Sequence, residues 1–142
     1  VLHARAALQE QHVPLVAETC PDLKLVIDHL AKPPIARNEI KEWSHAFKPL
    51  ARYQNLYCKL SGLVTEANWT SWRTDDLRPY VDCALEFFGP DRMLFGSDYP
   101  VCLLAASYDR VLDSFQEILR YLSDTDREKI FSTNAARFYR LD

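Results

Sequence analysis

Four polar side chains stand where short apolar runs end: His29, Lys59, Ser61 and Asp98. An imidazole and a carboxylate are groups that move protons near neutral pH, so His29 and Asp98 form a candidate acid/base pair acting on water. Lys59 offers a cation to an acidic or polyhydroxy ligand, and Ser61 a hydroxyl for hydrogen bonding. Lys32, just before Pro33, stands on a loop beyond the same end as His29. Each has a plainer reading. A histidine at a strand end is often structural, an Asp after Gly-Ser is often a turn residue, and a strand-end lysine often snorkels. Two such residues on strands two units apart favour a site.

The elements that would position them alternate in type. Residues 23–29 (LKLVIDH), 55–61 (NLYCKLS) and 93–98 (MLFGSD) are short, apolar and bounded by turn residues, as buried strands are. A side-chain period of two puts Lys59 and Ser61 on one face, and Leu25, Ile27 and His29 on one face. Between the strands, Ile40, Trp43, Phe47 and Leu50 recur at helical spacing, predicting a helix over 39–53 that Pro49 kinks. Leu77, Tyr80, Val81, Ala84, Leu85 and Phe88 make a second stripe, with Asp75 or Asp76 as N-cap, Pro79 in the first turn and Gly89-Pro90 as stop. Tyr108, Val111, Leu112, Phe115, Leu119 and Leu122 make a third, and Thr125-Asp126-Arg127-Glu128 reads as a capping box opening a last short helix. The stretch from Pro14 to Cys20 ends a preceding helix.

Strand ends near positions 29, 61 and 97 repeat at the pitch of parallel β/α units. Parallel strands need helices on both faces or a closed barrel, and a whole barrel takes about 250 residues. Three units therefore predict an α/β architecture that is part of an eight-unit barrel, with a small doubly wound domain as the alternative. No glycine-rich phosphate-binding motif follows any of the strands, which speaks against that alternative.

Composition narrows the function classes. The chain has 142 residues, 48% hydrophobic and 26% charged, with 17 basic and 20 acidic side chains. A net charge of -3 without a basic cluster argues against nucleic acid and anionic membranes as partners. No apolar run approaches the roughly 20 residues of a membrane span. Cysteines 20, 58, 83 and 102 form no C-x-x-C and stand at no ligand spacing from a histidine, so buried free thiols in a reducing, cytoplasmic setting are expected. The first residues show no signal-peptide pattern and no initiator Met, which suggests a chain truncated at its N-terminal side.

Three segments then carry a resemblance: Val26-Ile27-Asp28-His29-Leu30-Ala31-Lys32-Pro33, Cys58-Lys59-Leu60-Ser61-Gly62 and Gly96-Ser97-Asp98-Tyr99-Pro100. In this order and spacing they resemble the last three strand ends of amidohydrolase-related (amidohydrolase 2) barrels. The nearest branch is the sugar-lactone hydrolases, of the L-fuconolactone and L-rhamnonolactone type. The likeness runs from about Pro14 to Leu141 and includes the closing Thr133-Asn134-Ala135-Ala136-Arg137-Phe138-Tyr139.

That resemblance implies that residues 1–142 are the C-terminal part of a (β/α)8 TIM barrel, a partial domain whose His29 and Asp98 match the family's sixth-strand His and eighth-strand Asp. The family's first-strand H-x-H pair has no counterpart, since His3, His12 and His45 are isolated. The implied reaction is water attack on a sugar-derived lactone, with Asp98 as general base. His29 would orient the water or donate to the developing oxyanion, a contribution of roughly 3 kcal/mol per donor. Lys59, Ser61 and Lys32 would bind substrate. No metal is expected to be required, although zinc is possible, because catalytic zinc generally takes three protein ligands and two are visible. The alternatives are an inactive fragment or interaction module, and a zinc-dependent amidohydrolase or decarboxylase of the same superfamily. An incomplete ring would also leave Leu25, Ile27 and Leu94 facing solvent, so self-association is expected.

Overall fold

The computed structural model describes residues 6–141, with side chains from His12 onward; His3 lies outside the described residues. Three strands form one sheet in the order β1 (Leu25–Ile27), β2 (Leu56–Leu60), β3 (Met93–Phe95), and both pairings are parallel. Leu25 pairs with Leu56 and Ile27 with Cys58; Cys58 pairs in turn with Met93 and Leu60 with Phe95. The strands are shorter than their apolar runs. Most of the difference lies at the site end, where backbone hydrogen bonding gives way to turns.

Helices fill the intervals: α1 (Ala6–Thr19), α2 (Ile40–Phe47), α3 (Thr74–Phe88), α4 (Tyr108–Ile118), α5 (Asp124–Glu128) and α6 (Asn134–Tyr139). Pro49 does more than kink the first predicted helix. It has no N–H to offer the i−4 carbonyl, and the chain tightens at Lys48 into a 3-10 turn over Lys48–Arg52. Helix α3 starts earlier than expected: Arg73 is the N-cap, and Asp76 accepts its backbone N–H at 2.8 Å. Pro79 therefore falls in the second turn. The last cap is also displaced, from Thr125 to Ser123, whose hydroxyl accepts the Asp126 N–H at 3.1 Å. Ser and Thr are both good caps, and the structure selects the one that places Ile130 in the core.

Alternation on β2 divides the sheet into two faces. Leu56, Cys58 and Leu60 are buried and join Ile27, Met93, Phe47, Tyr80 and Val81 in the main core under α2 and α3. Tyr57 and Lys59 point the other way, where α6 covers them: Tyr57 meets the Phe138 ring at 5.0 Å and Lys59 lies 5.7 Å from the Tyr139 ring. This corrects the expected exposure. Register with Cys58 puts Leu25 and Ile27 on the helix-packed face, and Leu94 is only 1% exposed. The buried-thiol expectation holds for Cys58 and Cys102, whereas Cys83 is half-buried and Cys20 exposed; all four are free. Among the described residues, no helix is long and apolar enough to cross a membrane.

Arg92, just before β3, fastens three segments. Its guanidinium donates to the carbonyls of Phe88 (3.2 Å), Ala51 (3.0 Å) and Tyr53 (2.9 Å). Arg92→Ala leaves these carbonyls short of donors, and we expect it to destabilise the fold by about 1–3 kcal/mol, read as a lowered urea midpoint.

Candidate functional site

Beyond Ile27 the chain leaves extended geometry abruptly. His29, Leu30, Ala31 and Lys32 all have positive φ, and the Lys32 N–H closes onto the His29 carbonyl at 2.7 Å. None is glycine, so the turn carries strain of order 1 kcal/mol per residue. It is held by burial of Leu30 and by the Trp43 indole, which donates to the Leu30 carbonyl at 2.8 Å. The result is that His29 folds across the end of β2 instead of continuing the line of Leu25 and Ile27.

There His29 Nδ1 lies 2.8 Å from the Ser61 hydroxyl, and its Nε2 lies 3.7 Å from Asp98 Oδ1. The two side chains are 14% and 17% exposed, so the pair is recessed yet open to a small molecule. Asp98 follows β3 with φ of 61°, a conformation that Asp and Asn adopt more readily than most residues, and its carbonyl accepts the Cys102 N–H at 2.8 Å. Gly62 is required twice over. Its φ is +63°, and a Cβ there would stand 2.6 Å from His29 Nδ1.

The structure thus brings His29, Ser61 and Asp98 together. Lys59 stands beside them on the inner face, its amine 2.8 Å from Asp28 Oδ1. Burial by itself lowers the Lys59 pKa, but hydrogen bonds to the Asp28 carboxylate and the Tyr139 hydroxyl outweigh it and hold the amine above the usual lysine range. Lys59 is therefore a committed ammonium at neutral pH. Lys32 is not brought to the group; it pairs with Glu66 at 3.0 Å and is half-exposed. Burial pushes the thiols of Cys58 and Cys102 up, Asp98 adding to the effect at Cys102, so neither is an activated nucleophile.

Asp28, Glu66 and Tyr139 were not anticipated as partners. For Asp28 the signal was present: period two from Val26 places it on the face of Lys59. For Glu66 and Tyr139 no local pattern pointed to the contacts.

Two donors of kinds that zinc accepts, His29 Nε2 and the Asp98 carboxylate, face each other in this group. Among the described residues, no group of three or more His, Cys, Asp and Glu side chains is arranged to hold a metal. The residues present fit part of a zinc site.

Comparison with known proteins gives a consistent picture. Residues 2–141 match the family model described as Amidohydrolase. The chain is 44% identical over 127 residues to an L-fucono-1,5-lactonase of Burkholderia multivorans, covering 82% of this chain and 43% of the relative. It is 40% identical over 146 residues to the L-fucono-1,5-lactonase of Burkholderia ambifaria, covering 96% and 49%. A crystal structure of an amidohydrolase from Burkholderia multivorans with bound zinc superposes with a TM-score of 0.82 at 41% identity, covering 94% of this chain and 50% of that one. The chain spans about half the length of the curated relatives it matches. The neighbours are TIM barrels, and the three parallel strands with their helices correspond to about half of one.

Proposed function

The chain belongs to the amidohydrolase family, and from that footing we propose that it contributes the His29–Asp98 side of an active site that hydrolyses a sugar-derived lactone. One observation carries the reading. An imidazole and a carboxylate from strands two units apart converge to 3.7 Å where parallel strands end, the place where barrel enzymes keep their chemistry. The relatives' activity supports the choice of substrate class, and we read residues 1–142 as one partial barrel domain.

In this scheme Asp98 accepts a proton from water as the water attacks the lactone carbonyl. His29 donates from Nε2 to the oxygen on which charge develops. The ring ester bond then breaks, the released alkoxide takes up a proton, and a hydroxy acid is left. Lys59 is an ammonium held in an ion pair with the buried Asp28 carboxylate and would serve acidic or hydroxyl-rich ligands as a positioned hydrogen-bond donor, while Lys32, paired with Glu66, is a rim residue able to reach substrate only by giving up that pair. No step calls on a metal. Where zinc is bound, His29 and Asp98 would be this chain's ligands to it, and the ion would supply a more acidic water. The free thiols suit a reducing cytoplasm.

The test is a pH-stat assay, against a panel of aldonolactones, of a preparation of full family length that carries these residues. The expected result is acid release in proportion to enzyme, fastest with 6-deoxy-aldonolactones such as those of the L-fucono type. Absence of acid release from every aldonolactone, in a preparation of full family length, would overturn the reading.

A further inference from the structure

We propose that Ser61 is a positioning residue that donates its hydroxyl proton to His29 Nδ1 and so fixes the imidazole as the tautomer bearing hydrogen on Nε2. The inference rests on the lactonase reading for its kinetic consequence but not for its geometry. Ser61 is 2% exposed, and its hydroxyl lies 2.8 Å from His29 Nδ1. The hydroxyl lies deeper than the side chains of His29 and Asp98, which are 14% and 17% exposed. The side chain is also confined. A Cβ on Gly96 would stand 3.3 Å from Ser61 Cβ, and a Cβ on Gly62 would stand 2.6 Å from the ring nitrogen that Ser61 faces. Two glycines on adjacent strand ends therefore make room for the contact, one at the serine and one at the imidazole.

The direction of the hydrogen bond follows from the opposite edge of the ring. Nε2 faces Asp98 Oδ1 at 3.7 Å, and a carboxylate oxygen favours an N–H over a lone pair at that edge. A neutral imidazole carries one N–H. With it on Nε2, Nδ1 is an acceptor, and Ser61 must be the donor. The same tautomer supplies the hydrogen that the oxyanion needs, so a buried serine governs whether His29 can act as a donor.

The experiment uses metal-free protein of full family length, labelled with 15N in its histidines, with the His29 signals identified by their loss in His29→Gln. Long-range 15N–1H spectra of the wild type are expected to show hydrogen on Nε2 and none on Nδ1. Ser61→Ala is expected to mix the two tautomers, and to lower kcat by roughly 10–100-fold with KM unchanged. Adding Ser61→Ala to His29→Ala should slow the enzyme no further. Hydrogen on Nδ1 in the wild type overturns the proposal. So does a raised KM with kcat retained, which would make Ser61 a substrate contact, or an additive loss in the double variant. If the full-length protein turns over no lactone, the lactonase reading fails, while the wild-type spectrum still decides the role of Ser61 without any variant having to be active.

Discussion

Asp98→Asn is expected to abolish nearly all lactone hydrolysis in a protein with a complete barrel, a loss of about 100- to 10,000-fold in kcat, with the fold intact. An amide matches the carboxylate in size but cannot accept the proton that water gives up on attack. The backbone gives a second reason to expect a clean result. Asp98 sits at φ of 61°, and asparagine is among the non-glycine residues that best tolerate the same conformation. The Asp98 carbonyl keeps its bond from the Cys102 N–H, which no side-chain change touches. The variant should therefore retain the wild-type melting temperature while acid release in the pH-stat falls toward blank. His29→Ala should cost as much or less, since the oxyanion donor is one contributor among several. Near-normal turnover by Asp98→Asn would remove Asp98 from the role of base.

How far this site could be read in advance depends on which interactions are local. The three strands were legible because parallel strands covered on both faces are written as short apolar runs, and 25–27, 56–60 and 93–95 lie inside the segments expected. The buried stripe Leu77, Tyr80, Val81, Ala84, Leu85 and Phe88 was legible for the same reason, as helical period three to four is a local pattern. The convergence of His29 with Asp98 followed from topology, because both stand where strands end.

What was not legible depended on contacts distant in sequence. The left-handed turn at His29–Lys32 breaks the period-two rule that would carry His29 along the line of Ile27, and nothing in that segment announces it, since no glycine is present. Its support comes from Trp43 and from the opening at Gly62. Lys59 looked like a free cation because its neutralising partner, Asp28, lies in the turn after β1 and Tyr139 on the last helix. The caps at Arg73 and Ser123 moved by two to three residues because several adjacent residues can cap, and packing of the helix decides among them.

A polypeptide of these 142 residues expressed by itself is expected to show no lactonase activity above blank and to elute as oligomers. The first half of this expectation is geometric. A barrel site is assembled from loops around the whole ring, and this chain spans about half the length of its relatives. His29 and Asp98 would act on a substrate that lacks the walls opposite them, and even a 1 Å misplacement of reacting groups can cost on the order of 100-fold. The second half follows from the surface. With strand order β1-β2-β3, the two outer strands each keep one side unpaired among the described residues, and open parallel edges invite pairing with other chains. The apolar surface that would drive association lies elsewhere than at Leu25, Ile27 and Leu94. It is the segment after Asp98, where Tyr99, Val101, Leu103 and Leu104 are all about half-exposed or more, around the mouth where the remaining ring would stand. Size-exclusion chromatography with light scattering reads the association, and the pH-stat reads the activity. Supplying the other half of a related barrel in trans should restore a monodisperse species and turnover together. A monomeric, active preparation of the 142 residues would show that they form a complete site, and would refute the half-barrel reading from which both expectations come.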